Sequence, residues 1–389
     1  MIKESTMEKS NYLSNWELIS WKEVLEIRSG RNQKAVLNPN GKYPIIGSAG
    51  KVMGYADDYI CEEGTTIIGR KGTINSPLFI EHKFWNVDTA FGLYSKESLD
   101  SRFLHYFCLS FDFTELDKGS GRPSLVKSDL LKVQIPLPPL PQQKQIVATL
   151  DKAFAAIDTA KANAEQNLQN AKELFESYLQ NIFENKGDDW VSSELNEFVN
   201  FIDYRGRTPV KTSSGVRLIT AKNIKLGYLQ VKPEEFIAED NYEAWMTRGI
   251  PNFGDVIFTT EAPLGHIAQV NTKEKLAFAQ RVIVMQPDAK KINQTFLKYL
   301  LLSNPIRNKI LAQGTGATVL GIKSRLLKKI EIDFPNSIEE QKEIVIKLDI
   351  LSVESKKLEA IYIQKNAALD EMKKSVLQKA FSGQLNTIN

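Results

Sequence analysis

The feature that most constrains the fold of this chain is an internal repeat, because several blocks recur in the same order. The blocks FLHYFCLS, KSDLLK, QKQIVATLD and SYLQNIF return as FLKYLLLS, KSRLLK, QKEIVIKLD and SVLQKAF. The offset between partners grows only from 193 residues (Phe103 to Phe296) to 198 (Ser177 to Ser375), as short loop insertions would make it. Recurrence in a fixed order predicts two tandem copies of one unit.

The end of each copy has the periodicity of a coiled coil. Apolar residues follow alternating steps of three and four from Ile146 to Tyr178 and again from Ile344 to Val376. Each helix is predicted to contain about 43 residues and to be roughly 65 Å long. Asn167 and Lys365 occupy matching seam positions, where polar residues are predicted to fix the register.

The remaining parts of the copies, residues 16–136 and 190–332, are called the first and second modules. Both are predicted to consist of short strands separated by Gly, Asn and Pro turns, with one short amphipathic helix near the end. Examples of the strand-like runs are GTTIIGRKG, SPLFIEHKFW, GVRLITAKNI and AQRVIVMQP. The modules share little sequence before the repeated FLxYxxLS block, which indicates one scaffold with two different surfaces.

The order of module, helix, module, helix restricts the arrangement further. Only ENKGDDW connects the first helix to the second module, so the second module is predicted at the far end of that helix. The second helix must then run back, which predicts an antiparallel pair. The expected fold is α+β, with a helical rod carrying one globular module near each end and an approximate two-fold axis.

Composition and charge limit the function classes only weakly. The chain has 389 residues, 42% hydrophobic and 25% charged, which is typical of globular proteins of two or more domains. Residues 190–332 contain 20 Lys and Arg against 13 Asp and Glu, whereas residues 1–136 contain 17 of each kind. The basic second module is consistent with a nucleic-acid partner, but charge alone fits a solvated surface equally well.

No sequence signal points to a membrane, a metal or an active site. No segment approaches 18 uninterrupted apolar residues and none resembles a signal peptide, so we expect a soluble, cytoplasmic protein. Cys61 and Cys108 lack metal-binding or disulfide spacing. There is no NPPY or DPPY tetrapeptide, and GATVLGIKS differs from a phosphate-binding loop because Ile322 separates Gly321 from Lys323. No catalytic residue, metal or cofactor is predicted in this chain.

Taken together, several segments resemble the specificity subunits of type I restriction-modification systems over nearly the whole chain. They are IPLPPLPQQKQIV and FPNSIEEQKEIV after the modules, LQNIF and LQKAFSGQL at the helix ends, and GRKGTINSP and GDVIFTTEAPLG within the modules. The resemblance implies two target-recognition domains, residues 1–137 and 188–333. It also implies two helical spacers, residues 138–187 and 334–389, the second including the C-terminal tail.

The resemblance also implies a function. The chain would read a bipartite, asymmetric site in double-stranded DNA, one domain per half-site, and direct adenine methylation or cleavage by partner subunits. The implied partners are a methyltransferase subunit in two copies, which would bind S-adenosylmethionine, and a motor-nuclease subunit. Two other functions stay open: a coiled-coil adaptor whose globular ends bind proteins, and a free-standing nuclease or modification enzyme, which the missing motifs disfavour.

The candidate DNA contacts are mostly cationic or amide side chains beside glycines, where backbone can approach phosphates and Arg can read guanine. Those of the first module are Arg70, Lys71, Asn75, Ser76 and Arg122. Those of the second are Arg205, Arg207, Lys211, Lys222, Asn223, Glu261 and Arg281. A carboxylate such as Glu261 can accept from cytosine N4. The alternatives are turns with solvated charges and, for Glu261, an ion pair with one of the arginines.

Overall fold

The structure is a computed structural model that describes residues 16–206 and 208–385. The chain divides into two compact units, Met1–Gln166 with Ile363–Asn389, and Asn167–Tyr362. Each unit therefore combines one module with a segment of both long helices. The four-part functional division predicted from the sequence follows the ends of the helices instead, and stays a prediction.

The described part of the first module contains nine short strands and three short α-helices. The strands are β1 (Glu17–Ser20), β2 (Leu25–Ser29), β3 (Tyr43–Ile46), β4 (Val52–Ala56), β5 (Thr65–Gly69), β6 (Leu78–Ile80), β7 (Trp85–Asn86), β8 (Ala90–Ser95) and β9 (Gln134–Leu137). The helices are α1 (Trp21–Val24), α2 (Ser101–Ser110) and α3 (Lys127–Leu130), and the long helix α4 (Leu140–Glu184) follows. The strands form sheets of order β2-β8-β5-β6 and β4-β3-β7, and β1 pairs with β9.

The described part of the second module repeats this arrangement. Its strands are β10 (Trp190–Glu194), β11 (Val199–Asp203), β12 (Val216–Ile219), β13 (Phe236–Ile237), β14 (Val256–Thr259), β15 (Ile267–Gln269), β16 (Leu276–Phe278), β17 (Val282–Pro287) and β18 (Glu331–Pro335). Its helices are α5 (Tyr242–Trp245), α6 (Gln294–Leu302), α7 (Asn304–Ala312) and α8 (Ser324–Lys328), before the long helix α9 (Ile338–Phe381). The sheet orders are β11-β17-β14-β15 and β13-β12-β16, and β10 pairs with β18.

The two modules thus have one topology although their sequences differ. In each three-stranded sheet one pair is parallel, β3 with β7 and β12 with β16, and the other is antiparallel. In each module the first strand pairs with the last, which ends where a long helix begins. The predicted α+β modules, the internal repeat and the long helices are confirmed. Helix α7 was not predicted.

The long helices pair antiparallel within each unit. In the first unit Lys161 forms an ion pair with Asp370 (2.6 Å), and Lys373 forms one with Asp158 (2.9 Å). Residue numbers therefore rise along α4 in the direction in which they fall along α9. In the second unit the buried Ser355 hydroxyl donates to the Ala171 carbonyl at 2.7 Å. A hydrogen bond at this buried position fixes the register of the pair, as polar seam residues do in coiled coils.

Beyond Ser355, the predicted seam of α9 is confirmed at Tyr362, Leu369 and Val376, which are half-buried, and wrong at Leu358, which is exposed. Lys365 and Met372 are exposed, whereas Asn366 is half-buried. At the exposed positions the next residue along the helix is half-buried instead, namely Glu359, Asn366 and Lys373.

A buried glutamine near the start of each long helix fastens that helix to its module. The Gln143 amide accepts from the backbone N–H of Asp100 (2.7 Å) and donates to the carbonyls of Ser98 (3.0 Å) and Pro138 (2.8 Å). Gln341 makes the matching bonds in the second unit, with Asn293 N–H (2.7 Å) and the carbonyls of Lys291 (3.2 Å) and Pro335 (2.8 Å). Because Asp100 and Asn293 cap α2 and α6, each glutamine aligns two helices.

A second repeated contact joins the same helices. The Tyr106 hydroxyl donates to Asp151 and the Tyr299 hydroxyl to Asp349, both at 2.5 Å. The core of each module also continues into the long helices, with Leu150 and Phe381 in the first unit and Phe183 and Leu348 in the second. A module and its helical segments therefore form one packed body, in which burial of this apolar surface is the main stabilising contribution.

Candidate nucleic-acid interface

In the first module three segments meet beyond the end of β5. The Arg70 N–H donates to the carbonyl of Thr89 (2.8 Å), and the Leu125 N–H donates to the carbonyl of Arg70 (2.9 Å). Lys71 forms an antiparallel bridge with Ser124. The predicted GRKG and GSGRPS loops thus lie side by side, and the place where they meet the start of β8 is called the first junction.

Glycine is required at the first junction by close approach of the backbone. A Cβ atom on Gly69 would lie 1.9 Å from the Thr73 carbonyl oxygen, and Gly72 has a left-handed φ of 83°. The loop therefore turns tightly directly after Lys71.

The three cations of the first junction differ in how they are held. The Arg70 guanidinium lies 5.7 Å from the centroid of the Phe91 ring, and its NH1 group is 3.5 Å from the Asp88 carbonyl. Lys71 and Arg122 are exposed, and neither has an ion-pair partner among the described residues. These two side chains are free to bind an anion or a base.

Asn75 and Ser76 lie just after the first junction. The Asn75 amide donates to Asp112 (3.1 Å) and accepts from the Phe113 N–H (2.9 Å), so it holds the turn that starts at Asp112. Hydrogen bonds from Thr114, with a weaker one from Asn75, hold the pKa of Asp112 below its ordinary value. Ser76 is exposed. Asn75 has a structural task, which leaves it less free than Lys71 for DNA.

In the second module the corresponding region, called the second junction, forms an open cleft of about 470 Å³. Glu261 and Arg281 lie within it and form an ion pair of 3.0 Å, with both side chains about half exposed. Arg281 has a left-handed φ of 70°. The cleft combines a carboxylate acceptor with guanidinium donors, and such a mixture suits recognition of base edges. The residues lining it are Arg205, Gly206, Thr260, Glu261, Gln280, Arg281, Thr315, Val319, Gly321, Ile322 and Lys323.

At one edge of the cleft, the Arg205 side chain is held by Asp203, two residues earlier in the chain. The guanidinium donates to Asp203 through Nε (2.8 Å) and NH2 (2.6 Å). Burial alone would raise the pKa of Asp203, but the hydrogen bonds and charge of Arg205 outweigh it and the pKa is lowered. Lys211 likewise pairs with Glu235 at 2.8 Å. Both cations contribute positive charge, with their geometry partly committed to these partners.

Lys222 and its neighbour Asn223 differ in their exposure to solvent. Lys222 is exposed, whereas Asn223 is completely buried. The Asn223 amide accepts from Thr220 (3.1 Å) and donates to the Pro233 carbonyl (2.8 Å). Asn223 therefore shapes the loop and presents no atom at the surface, contrary to its prediction as a DNA contact. Arg207 lies outside the described residues.

Sequence reasoning missed several residues that line the cleft. Gln280, Thr315 and Lys323 belong to it, yet Lys323 was noted only in the repeated KSRLLK block and in the rejected phosphate-binding loop. That block closes the loop that follows α7, and its recurrence was the available signal. What the sequence did not contain was the pairing of this loop with Glu261, which forms a bridge to Gly321.

Within the described ranges, no group of three or more His, Cys, Asp or Glu side chains is placed to hold a metal ion. Burial raises the pKa of the Cys61 thiol to about 12, so it has little tendency to form a thiolate ligand. Of the described helices, none is long and apolar enough to cross a membrane.

Comparison with known proteins identifies the family. The sequence pattern described as "Type I restriction modification DNA specificity domain" matches residues 13–170 and 187–365. These two matches cover most of the chain and coincide with its two repeated copies. The chain belongs to this family.

Relatives and solved structures agree with that assignment. The type I restriction enzyme MjaVIII specificity subunit of Methanocaldococcus jannaschii is 25% identical over 352 residues, which cover 84% of this chain and 77% of that protein. The EcoBI specificity subunit of Escherichia coli is 27% identical over 280 residues, covering 64% of this chain and 58% of the relative.

Two solved structures show the same fold. A chain from the work "Structural basis underlying complex assembly and conformational transition of the type I R-M system" has a TM-score of 0.77 and 19% identity, covering 95% of this chain and 98% of its own. The HsdS subunit of Thermoanaerobacter tengcongensis has a TM-score of 0.60 and 17% identity, covering 96% and 98%. The predicted family and fold class are confirmed, and the relatives' names confirm a non-catalytic specificity subunit rather than an enzyme.

Proposed function

We propose that this chain recognises a bipartite, asymmetric site in double-stranded DNA, one module per half-site, and directs methylation or cleavage by partner subunits. The observation that carries the proposal is that two modules of one topology present different charged side chains at their loop junctions. Equal surfaces would favour two equal half-sites, whereas different surfaces suit two different ones. Membership of the specificity family supports this assignment.

The exposed cations suit the DNA backbone as well as base edges. Lys71, Arg122 and Lys222 are exposed and lack an ion-pair partner among the described residues. Phosphate contacts by such side chains release counterions, so binding would weaken steeply as the salt concentration rises. This salt dependence distinguishes the proposal from a protein-binding adaptor.

The catalytic steps would belong to partner subunits. We assign S-adenosylmethionine to a methyltransferase partner, and DNA translocation and cleavage to a motor-nuclease partner. An apolar stripe on α9, formed by Ile346, Ile350 and Val353, is a suitable docking surface for the methyltransferase. These three side chains are 50–60% exposed. Their spacing of four and three residues places them on one face, opposite the buried Leu348 and Ser355. The duplicated architecture suits two copies of the methyltransferase. The stripe would serve one of them, because its counterparts on α4 are Ala148, Lys152 and Ala155.

Methylome sequencing tests the proposed function directly. A methylation-free host would express this chain with its cognate methyltransferase subunit, and a second culture would express that subunit alone. We expect a split adenine-methylation motif only when both proteins are present. A soluble complex that yields no new motif would contradict the proposal and favour the adaptor function.

A further inference from the structure

The strand registers align the two modules residue by residue where their sequences do not. Gly69 of β5 pairs with Ala90 of β8, and Thr259 of β14 pairs with Val282 of β17, in equivalent sheets. One residue further on, the Thr260 N–H donates to the Arg281 carbonyl at 2.9 Å, as Arg70 does to Thr89. Position 70 therefore corresponds to 260, and position 89 to 281.

The third segment of the junction obeys the same alignment. The Ile322 N–H donates to the Thr260 carbonyl at 2.9 Å, repeating the bond from Leu125 to Arg70. Glu261 forms a bridge with Gly321, as Lys71 does with Ser124.

The two modules also share the sign of φ at the following residue, although Ala262 is joined to Pro263 by a cis bond and Gly72 is followed by Thr73. The next residues, Gly72 and Ala262, both have positive φ, 83° and 47°. Lys71 and Glu261 thus occupy the same position beyond the paired strands, one residue before a positive φ.

The side chains at this shared position have opposite hydrogen-bonding character. The Lys71 ammonium only donates, and the Glu261 carboxylate only accepts. In the major groove, guanine presents the acceptors O6 and N7, and cytosine presents the N4 amino donor. A lysine and a glutamate at one position would therefore select opposite members of a G·C pair.

The residues around Lys71 and those around Glu261 also differ in their hydrogen-bonding groups. Lys71 stands beside Thr89, which carries no charge, and near Arg122 of the adjacent loop. Glu261 is instead held by Arg281 at 3.0 Å, and the residue matching Arg122 is Val319, exposed in the cleft. The first junction is rich in donors. The second holds the Glu261 acceptor, oriented by the Arg281 guanidinium, and has no cation at the position that matches Arg122.

We infer that position 71 in the first module and position 261 in the second determine specificity, with opposite base preferences. Lys71 selects a base that presents acceptors, such as guanine, in one half-site. Glu261 selects a base that presents an amino group, such as cytosine, in the other, and Arg281 positions its carboxylate. This inference rests on the proposed function, because it assigns residues within the same DNA-reading role.

The test is methylome sequencing of charge-reversal variants with the cognate methyltransferase. Glu261→Lys should change the preferred base at one position of one half-site by about ten-fold or more, and leave the other half-site unchanged. Lys71→Glu should do the same in the other half-site. Glu274→Gln and Lys34→Gln, at exposed side chains away from the junctions, should reproduce the wild-type motif.

The possible results separate the two proposals. Absence of any split motif with the wild-type chain would overturn the proposed function. A wild-type motif that stays the same in both charge-reversal variants, with only the extent of methylation reduced, would overturn the specificity role. Should Glu261→Lys fail to fold, the isosteric Glu261→Gln variant decides, because loss of the carboxylate should relax base choice at that one position. Unchanged selectivity in Glu261→Gln would again overturn the inference.

Discussion

Arg281 is the residue whose backbone most needs an explanation. A side chain larger than glycine in the left-handed region carries strain of about 1–3 kcal/mol, and Arg281 has a φ of 70°. Its ion pair with Glu261 is half exposed, so the pair contributes only about 0–1 kcal/mol. Stability does not account for an arginine here, whereas orientation of the Glu261 carboxylate does.

We therefore expect Arg281→Gly to separate stability from recognition. Relief of the backbone strain should raise the free energy of unfolding by about 1 kcal/mol, while base selectivity at the half-site position read by Glu261 declines. Thermal denaturation and methylome sequencing of the same variant measure the two effects. Thr89→Gly is the matched control, because Thr89 lacks a positive φ and glycine there should only destabilise. A less stable Arg281→Gly protein with unchanged selectivity would argue against this role.

Among individual residues, the sequence indicated the region of the candidate site better than it indicated which side chains are free to contact DNA. Glycine-flanked charges drew attention to both junctions, whose role in DNA binding stays a prediction. They did not reveal that Asn223 is buried, that Asn75 holds a turn or that Arg205 is bound to Asp203. The same side chain can bind its own loop or a ligand, and the choice depends on backbone groups far along the chain.

The next scale is that of the helices, where the buried glutamines fix each module to its spacer. Gln143→Leu should remove three hydrogen bonds and leave buried backbone groups unpaired, lowering the free energy of unfolding by about 2–4 kcal/mol. Gln341→Leu should lower the free energy of unfolding by a similar amount, since Gln341 makes the same three hydrogen bonds as Gln143. The exposed Gln145→Leu, two residues further on, should change stability by less than about 0.5 kcal/mol. Chemical denaturation measures the stability of all three variants. Equal effects at positions 143 and 145 would exclude a special role of the buried glutamine in fastening the helix to its module.

The apolar stripe on α9 gives a separate prediction about assembly. Ile350→Lys should weaken binding of the methyltransferase subunit by at least ten-fold, because it places a charge in a surface that must lose its water. Ile363→Lys is the matched control: Ile363 is similarly exposed but lies about 140° around the helix from Ile350. Calorimetric titration with the purified methyltransferase compares the two. Loss of binding in the control alone would place the docking surface on a different face.

Helices and strands were largely predictable because their signals are local. The long helices follow from periodicity, and both end near the predicted residues. Helix α7 begins at Asn304 beside Pro305, and its short, mixed sequence gave no clear period. The equivalence of Lys71 and Glu261 was not predictable either. Their offset is 190 residues, outside the 193 to 198 of the recognisable blocks, and only strand pairing reveals it.

For the whole molecule, the informative fact is that both long helices contribute to both compact units. Helix α4 runs through Gln166 into the second unit, and α9 through Ile363 into the first. Because each module is fastened to its helix by a buried glutamine, we expect helix length to set the unread gap between the half-sites.

Deleting residues 163–169 from α4 together with 361–367 from α9 tests this expectation. Seven residues preserve the heptad phase and shorten each helix by about 10 Å, or roughly three base pairs of B-DNA. Methylome sequencing should then show both half-site sequences retained and a shorter gap between them. Deletion from α4 alone is the control, since it would break the register with α9 and abolish recognition altogether. An unchanged gap in the double deletion would mean that something other than the helices sets the spacing.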